Sequence, residues 1–193
     1  MAQDAEENWD INKLAVIKKQ DGQMDITTNY KVPKDTKIGH VHLKVSNLQR
    51  SLDFYCGLLG FEITTTYGTD AAFISAGGYH HHIGLNVWYS KNAPPAARNT
   101  VGLFHTAILY PTRKDLATIL YRLQQADYPL TGASDHGVSE ALYLDDPDGN
   151  GVELYWDKPK NQWPQKSDGS LDMYTKPLDL DGLMNEINGL RPM

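Results

Sequence analysis

The alternation of apolar and polar residues along the chain begins near residue 38. In "IGHVHLKV", Val41, Leu43 and Val45 alternate with polar residues at the two-residue period of a half-buried strand, which predicts a strand over 38–45. The next stretch, "SNLQRSLDFYCGLLGF", spaces its leucines and Tyr55 at helical intervals and ends near Gly60, which predicts a helix with one buried side. Three short predicted strands follow in "FEITTTYG", "AAFISAG" and "HIGLNVWY".

The same order of elements recurs after a break. The break is "KNAPPAARNT", whose prolines and small residues indicate a linker. After it come a predicted strand in "GLFHTAILY", a helix in "TRKDLATILYRLQQADY", a strand and turn in "SEALYLDDPDG" and a last strand in "GVELYW". The repeat predicts two tandem modules, about 38–90 and 101–157, in one domain at 37–157. An N-terminal arm is predicted at 1–36 and a C-terminal extension at 158–193, in which "LDLDGLMNEI" predicts a short amphipathic helix for packing or capping.

Composition narrows the classes of partner. The 193 residues carry a formal net charge of −6 with scattered Lys and Arg, so no basic face is expected and nucleic acid is not an expected partner. No apolar run is long enough to span a bilayer and the N-terminus is polar, so no membrane association is expected and we predict a cytoplasmic protein. Cys56 is the only cysteine, so any metal must be bound by His, Asp or Glu.

Two histidines occupy equivalent places in the repeat. His40 and His105 each stand at the same position of the first strand of their module. Either histidine alone is more often a structural or surface residue, but the duplication, together with Glu153 in "NGVELYW", offers the two-histidine, one-carboxylate set that suits iron(II). On a two-residue period Glu153 lies on the face opposite Val152 and Leu154. The competing interpretation is that Glu153 points into solvent.

The stretches "HLKVSNLQRSLDFYCGLLGF" and "DDPDGNGVELYW" resemble the vicinal-oxygen-chelate superfamily, which includes glyoxalase I, the fosfomycin and bleomycin resistance proteins and the type I extradiol catechol dioxygenases. The resemblance covers about 38–157. It implies an α+β fold in which two tandem βαβββ modules form an open, cupped mixed β-barrel around a metal site, with the helices outside. It also implies that His40, His105 and Glu153 are the metal ligands, since His40 rather than His42 matches the ligand position in "HVHLKV".

The number of protein ligands to the metal distinguishes the members of the superfamily from one another. Glyoxalase I normally has a fourth protein ligand, a Glu in the stretch that corresponds to "HIGLNVW", where this chain has Gly84 and no acidic residue from Ala71 to Ser90. Three ligands leave about three open positions on a six-coordinate iron(II), enough for a bidentate catecholate and dioxygen. Fe(II) is therefore the expected cofactor, with Mn(II), Zn(II) and Ni(II) as alternatives.

The triple histidine in "HHHIG" has a counterpart in the extradiol enzymes, which resemble this chain in a His-His pair at the matching strand. The resemblance implies that His81 is an acid–base catalyst, with His82 as the second candidate and His80 as a neighbour. Imidazole suits this role because its pKa lies near neutrality. The competing interpretation of these histidines is a solvated sheet edge.

Two further residues are assigned by the resemblance. His136 lies in a polar loop, and Tyr143 stands ten residues before Glu153, as in the extradiol members. Both are expected to form hydrogen bonds to the catechol oxygens. Core packing with a paired hydroxyl is the alternative for Tyr143. "DDPDGN" is predicted to be a tight turn rather than a calcium loop.

The sequence thus leads to one preferred function and two rivals. The preferred function is an iron(II)-dependent extradiol dioxygenase that acts on a small catechol-like aromatic with O2. The rivals are a metal-dependent lyase or transferase of the glyoxalase or fosfomycin-resistance kind, which would not require His81, His136 and Tyr143, and a metal-free binding protein, which would not require the ligand set. A homodimer is a family expectation. Extradiol enzymes of this type often contain four modules, whereas this chain has two.

Overall fold

Two hydrogen-bonded sheets, one in each half of the repeat, make up the described part of the molecule. The structure is a computed structural model, and it describes residues 31–187. The chain divides into two units, Met1–Ile38 and Gly39–Met193. The first unit contains a described turn closed by Thr36 N donating to the Pro33 carbonyl at 2.9 Å. Residues 1–30 of the predicted arm and 188–193 of the predicted extension lie outside the described residues.

The first module has a four-stranded mixed sheet. Its elements are β1 (Val41–Lys44), α1 (Leu48–Leu52), β2 (Glu62–Tyr67), β3 (Ala71–Ser75) and β4 (Ile83–Asn86). The strand order is β1-β4-β3-β2, with β1 parallel to β4 and the other pairs antiparallel. The helix predicted after β1 is present, but it changes type along its length: α1 is followed directly by a π-helical turn over Asp53–Leu58. In this turn the neighbouring side chains of Phe54 and Tyr55 are both buried.

The second module repeats this plan. Its elements are β5 (Thr106–Leu109), α2 (Arg113–Gln125), β6 (Gly132–Asp135), β7 (Ser139–Asp145) and β8 (Gly151–Asp157). The helix α2 begins with a reciprocal cap, in which Thr112 and Asp115 each accept a backbone N–H of the other. The α+β class and the two tandem βαβββ modules are therefore confirmed. The hydrophobic pattern gave no signal for β6, "GASD", which has a single small apolar residue.

The C-terminal extension is part of the second sheet. Its strand β9 (Lys176–Pro177) pairs antiparallel with β6, so the strand order is β5-β8-β7-β6-β9. The helix α3 (Leu180–Met184) lies within the predicted amphipathic segment and buries Leu183 and Met184 in the core. Arg113 of α2 donates to the Gly182 carbonyl at 3.1 Å, which ties α3 to α2. None of the helices between residues 31 and 187 has the length and apolar character needed to cross a membrane.

One hydrophobic core among the described residues joins both modules. In β8, Val152 and Leu154 are buried, whereas Gly151, Glu153 and Tyr155 occupy the other side of the strand. The helices lie outside the sheets and contribute to this core. The largest fully buried side chains come from both modules and from α3: Tyr55, Ile74, Leu85, Leu116, Leu120, Leu123, Leu142, Leu144, Leu154 and Leu183.

The turn between β7 and β8 connects the modules. Asp146 Oδ1 accepts hydrogen bonds from the backbone N–H of Asp148 at 2.9 Å and of Asn150 at 2.8 Å, which closes a tight turn as predicted. Asp148 reaches from this turn to the first module, where Arg50 donates to its Oδ1 at 2.6 Å. The turn is therefore a joint between the modules.

Candidate metal site and histidine clusters

His105 and Glu153 meet on one side of the second sheet. His105 directly precedes β5, and β5 runs parallel to β8, so Glu153 lies on the neighbouring strand. The distance from His105 Nε2 to Glu153 Oε2 is 2.9 Å. Gly151 makes this approach possible, because a Cβ there would collide with the carbonyl oxygen of Phe104 and lie 3.2 Å from His105 Cβ.

The imidazole of His105 has the features of a metal ligand. A carboxylate only accepts hydrogen bonds, so Nε2 must carry the proton shared with Glu153 Oε2. Nδ1 is buried and has no hydrogen-bonding group within reach among the described residues. Such an unpaired nitrogen costs about 1–3 kcal/mol, and it is the opposite nitrogen, Nε2, that faces the carboxylate. Nitrogen and carboxylate oxygen at this separation suit iron(II) or zinc, which would replace the shared proton.

Tyr143 extends this pair to a third and a fourth side chain. It lies opposite Glu153 in the β7–β8 register and donates its hydroxyl proton to Glu153 Oε1 at 3.0 Å. The same hydroxyl oxygen is 2.6 Å from Nε2 of His136. Burial, followed by the hydrogen bond and the negative charge of Glu153, raises the pKa of Tyr143, so the phenol stays protonated at neutral pH.

The connected groups can exchange one proton. Tyr143 has a single hydroxyl proton and two neighbours, Glu153 Oε1 and His136 Nε2. When His136 Nε2 is protonated, it donates to the phenol oxygen and Tyr143 donates to Glu153. When Nε2 is unprotonated, Tyr143 can turn its proton toward His136. This series of hydrogen-bonded side chains can therefore gain or lose a proton without moving any of them.

The histidines of the first module form a separate cluster. The rings of His40 and His81 are 4.4 Å apart between centroids, and Nδ1 of His80 is 2.7 Å from Nδ1 of His81. Phe73 contacts His81 edge to face at 5.0 Å. Desolvation, followed by the charges of the surrounding imidazoles, lowers the pKa of His81. A lowered pKa favours the neutral imidazole, the form that can accept a proton.

His82 differs from His81 in its partners. Its Nδ1 accepts a hydrogen bond from the backbone N–H of Ala76 at 3.3 Å and lies 2.9 Å from the hydroxyl of Ser75. A backbone N–H can only donate, so in neutral His82 the proton resides on Nε2. These contacts give His82 a structural role in the turn after β3.

The first sheet has no counterpart of Glu153. The equivalent register position is Gly84, which lies opposite His42. A Cβ on Gly84 would be 2.8 Å from the His42 ring, so the imidazole occupies the space that a side chain at position 84 would take. Asn86 holds this ring by donating from Nδ2 to His42 Nε2 at 2.9 Å. The sequence indicated that His42 lies on a polar face, but not that it fills this space.

The predicted site residues thus fall into two groups. The structure brings His105, Glu153, Tyr143 and His136 together, and it brings His40 and His81 together. Between residues 31 and 187, no three side chains of the His, Cys, Asp or Glu types are arranged to hold a metal ion. His40 is therefore not joined to His105 and Glu153 within the described part of one chain.

Comparison with known proteins agrees with this fold. Residues 37–154 match the model of the Glyoxalase/Bleomycin resistance protein/Dioxygenase superfamily. The chain belongs to this superfamily. It is 40% identical over 155 residues to the catechol-2,3-dioxygenase of Bacillus subtilis (strain 168), an alignment that covers 80% of this chain and 53% of that protein. It is 32% identical over 122 residues to biphenyl-2,3-diol 1,2-dioxygenase 3 of Rhodococcus globerulus, covering 63% of each.

The similarity to these relatives covers only part of their length. The chain spans 53% and 63% of the lengths of the two relatives. Among solved structures, the glyoxalase/dioxygenase from Nostoc punctiforme superposes with a TM-score of 0.54 at 17% identity, covering 69% of this chain and 100% of that one. At this level of identity the structural similarity supports the fold alone.

Proposed function

We propose that this chain forms an extradiol ring-cleaving dioxygenase that uses iron(II) and O2 on a small catechol-like aromatic. The observation that carries the proposal is the continuous series of contacts from His105 through Glu153 and Tyr143 to His136. This series contains a histidine and a carboxylate, two types of metal ligand, next to hydrogen-bonded side chains that can accept a proton. When bound, iron(II) would supply the redox chemistry that joins dioxygen to the aromatic ring. The names of the two dioxygenase relatives support the same reaction class.

The proposed ligands are His105 Nε2, Glu153 Oε2 and His40. Because His40 contacts His81 and is not joined to the other two ligands in one chain, we propose that a second copy supplies it in a homodimer. The residues before His105 support such an interface, since Leu103 and Phe104 have exposed fractions of 63% and 88%. Exposed apolar side chains beside an incomplete polar site are typical of interacting surfaces.

The remaining residues would handle protons. Ring cleavage of a catechol begins with loss of a hydroxyl proton, and Tyr143 with His136 can accept one proton next to the ligand pair. Their hydrogen bonds would also orient the substrate oxygens. His81, whose lowered pKa favours the neutral imidazole, is a second acid–base group in the first module and would come to the site together with His40. His82 is the weaker candidate because its Nδ1 is bonded to the main chain.

Oxygen consumption tests the proposed reaction. The full chain is loaded anaerobically with Fe(II), and oxygen uptake and the absorbance of the yellow ring-fission product are recorded after addition of catechol and substituted catechols. Both signals should appear in the wild type and disappear in Glu153→Ala, whereas the exposed control Glu62→Ala should retain them. Metal binding without oxygen uptake would contradict the dioxygenase and favour a lyase or transferase of the same superfamily.

Subunit complementation tests the origin of His40. His40→Ala and Glu153→Ala should each be inactive alone, but heterodimers of the two contain one intact site. With random exchange half of the dimers are mixed and each has one intact site of two, so about one quarter of the wild-type activity should return. No recovery in exchanged mixtures that light scattering shows to be dimeric would contradict a shared site.

Substitution of His81 tests its assigned role. His81→Gln should lower turnover while Fe(II) and catechol still bind, because the amide cannot accept and return a proton. We expect a decrease of about 10²-fold or more in kcat. Unaltered turnover would remove His81 from the mechanism. Tyr89→Phe is the control, since Tyr89 is 90% exposed.

A further inference from the structure

The C-terminal extension contacts His136 on the side of the ring opposite Tyr143. Nδ1 of His136 lies 3.2 Å from the backbone oxygen of Tyr174 and 3.2 Å from the hydroxyl of Thr175. Nε2 of the same ring lies 2.6 Å from the Tyr143 hydroxyl. One nitrogen therefore faces the extension and the other faces the candidate active site.

Close packing holds the extension in this place. Tyr174 N donates to the backbone oxygen of His136 at 3.3 Å, and β9 pairs with β6 next to this contact. Gly137, which follows His136, has a φ of +78°, and a Cβ on it would lie 2.7 Å from the Tyr174 ring and 2.8 Å from Pro164. Only glycine fits both the backbone conformation and the space. The loop that carries His136 is thus fitted against the extension.

The chemistry of the two contacts determines where the proton of His136 resides. A carbonyl oxygen has no proton to donate, so the contact with Tyr174 requires a proton on Nδ1. The Thr175 hydroxyl can rotate to accept from the same nitrogen. Neutral imidazole carries one proton, so Nε2 then presents its lone pair to Tyr143, whose single hydroxyl proton turns from Glu153 to His136.

We propose that the Tyr174 carbonyl and the Thr175 hydroxyl are positioning groups that hold neutral His136 in the Nδ1–H tautomer and aim the Nε2 lone pair at the Tyr143 hydroxyl. The extension thereby prepares His136 to receive a proton through Tyr143. This inference rests on the proposed function, in which His136 and Tyr143 accept the proton of a catechol hydroxyl. It adds a role for a segment outside the matched superfamily region, which ends at residue 154.

Nitrogen NMR of the histidine rings tests the tautomer directly and independently of activity. The full chain is labelled with ¹⁵N and studied without added metal at a pH where His136 is neutral, and the resonances of His136 are identified by their loss in His136→Gln. The wild type should show a protonated Nδ1 and an unprotonated Nε2. A protonated Nε2 with an unprotonated Nδ1 would overturn the proposal.

Two substitutions test whether the extension sets this tautomer. Gly137→Ala should push Tyr174 away from His136, and Thr175→Val removes one of the two acceptors at Nδ1; each should produce a measurable share of the Nε2–H form. The matched control is Gly169→Ala, because Gly169 also has a positive φ, +81°, but has no atom within 4 Å of an added Cβ. It should keep the wild-type tautomer. Should Gly137→Ala fail to fold, Thr175→Val decides, and full retention of the Nδ1–H form would overturn the proposal.

Kinetics separate this inference from the proposed function. Relative to Gly169→Ala, Gly137→Ala should lower kcat for catechol cleavage about tenfold or more and leave KM within about twofold, because the lone pair is misdirected while the binding groups remain. A wild type that cleaves no catechol but shows the expected tautomer shifts would refute the dioxygenase and retain the positioning role. An active wild type whose tautomer does not respond to either substitution would refute the positioning role and retain the dioxygenase.

Discussion

Arg50 and Asp148 join the two modules: the guanidinium, at the start of the first helix, donates to Asp148 Oδ1 at 2.6 Å in the turn between β7 and β8. The backbone N–H of Ser46 donates to the other oxygen of the same carboxylate at 3.2 Å. The side chain of Asp148 is only 8% exposed, whereas that of Arg50 is 48% exposed, so the carboxylate depends on these two donors more than Arg50 depends on it. The carboxylate thus fixes the N-terminal end of α1 relative to the second module.

Removal of this carboxylate should therefore destabilise the whole domain. We expect Asp148→Ala to lower the free energy of unfolding by about 1–3 kcal/mol, because the partly buried N–H of Ser46 loses its acceptor and Arg50 loses its charged partner. Asp145→Ala is the matched control, since Asp145 pairs with the well-exposed Arg98 and such pairs contribute about 0–1 kcal/mol. Urea unfolding of both variants measures the difference. Equal losses would contradict a special role of the joint.

Gly151→Ala should weaken metal binding without removal of a ligand. The added methyl group collides with the Phe104 carbonyl, so the segment that carries His105 must move away from Glu153. We expect the affinity for Co(II) or Zn(II), measured by titration calorimetry, to fall on the order of tenfold to hundredfold. Gly102→Ala provides the comparison, since a Cβ there meets no atom within 4 Å. Wild-type affinity in Gly151→Ala would show that the close approach is not needed.

Tyr143→Phe should separate metal binding from turnover. The ligands His105 and Glu153 remain, so metal affinity should change little, while kcat should fall on the order of 10²-fold because the hydrogen-bonded path for the proton to His136 is broken. Metal titration and steady-state kinetics of the variant measure the two effects.

The pH dependence of stability should also reflect Tyr143, because its folded-state pKa is raised above its unfolded value. Burial of the neutral phenol, together with its hydrogen bond to Glu153, therefore contributes stability that is fully present below about pH 10 and is lost as the phenol ionises at higher pH. Chemical unfolding at pH 8 and at higher pH should show this loss in the wild type but not in the variant.

His81 should titrate below the ordinary histidine value of 6.5. A lowered folded-state pKa means that the fold disfavours the charged form, so this contribution to stability decreases as pH falls below the unfolded value. His80→Gln removes one neighbouring imidazole and should raise the pKa of His81 toward 6.5. Proton NMR of the ring signals over pH 4–8, without added metal, measures both values. An unchanged or lower pKa of His81 in His80→Gln would contradict the assigned cause.

The parts of the fold that depend on alternating apolar and polar residues can be predicted from the sequence. Val152 and Leu154 on one side of β8 and Glu153 on the other follow from a period of two, which the sequence alone predicts. β6 could not be predicted in this way, because "GASD" has almost no apolar residue and is a strand only through its pairing with β7 and β9. The π-helical turn after α1 was missed for a related reason, since the burial of Phe54 and Tyr55 side by side is decided by tertiary packing.

In the candidate site, the identities of the residues can be predicted from the sequence, but several of their contacts cannot. The identities of His105, Glu153, Tyr143 and His136 were proposed from motif and resemblance, and the parallel pairing of β5 with β8 explains why the first two meet. No sequence pattern predicts the contact of His136 with Tyr174, because the acceptor is a backbone carbonyl, which every residue possesses. The roles of Gly151 and Gly84 also depend on distances between strands that no single stretch of sequence contains.

The two-residue strand β9 has a consequence for solubility during folding. β6 would be the outermost strand of its sheet without β9, and an unprotected outer strand is a template for pairing with other chains. β9 covers this strand opposite Ser134 and Asp135, and Pro177, which lacks an N–H, offers no donor for a further strand. A newly made chain is thus guarded against intermolecular β-pairing at this border only once the forty or so residues that separate β6 from β9 have been synthesised and folded back.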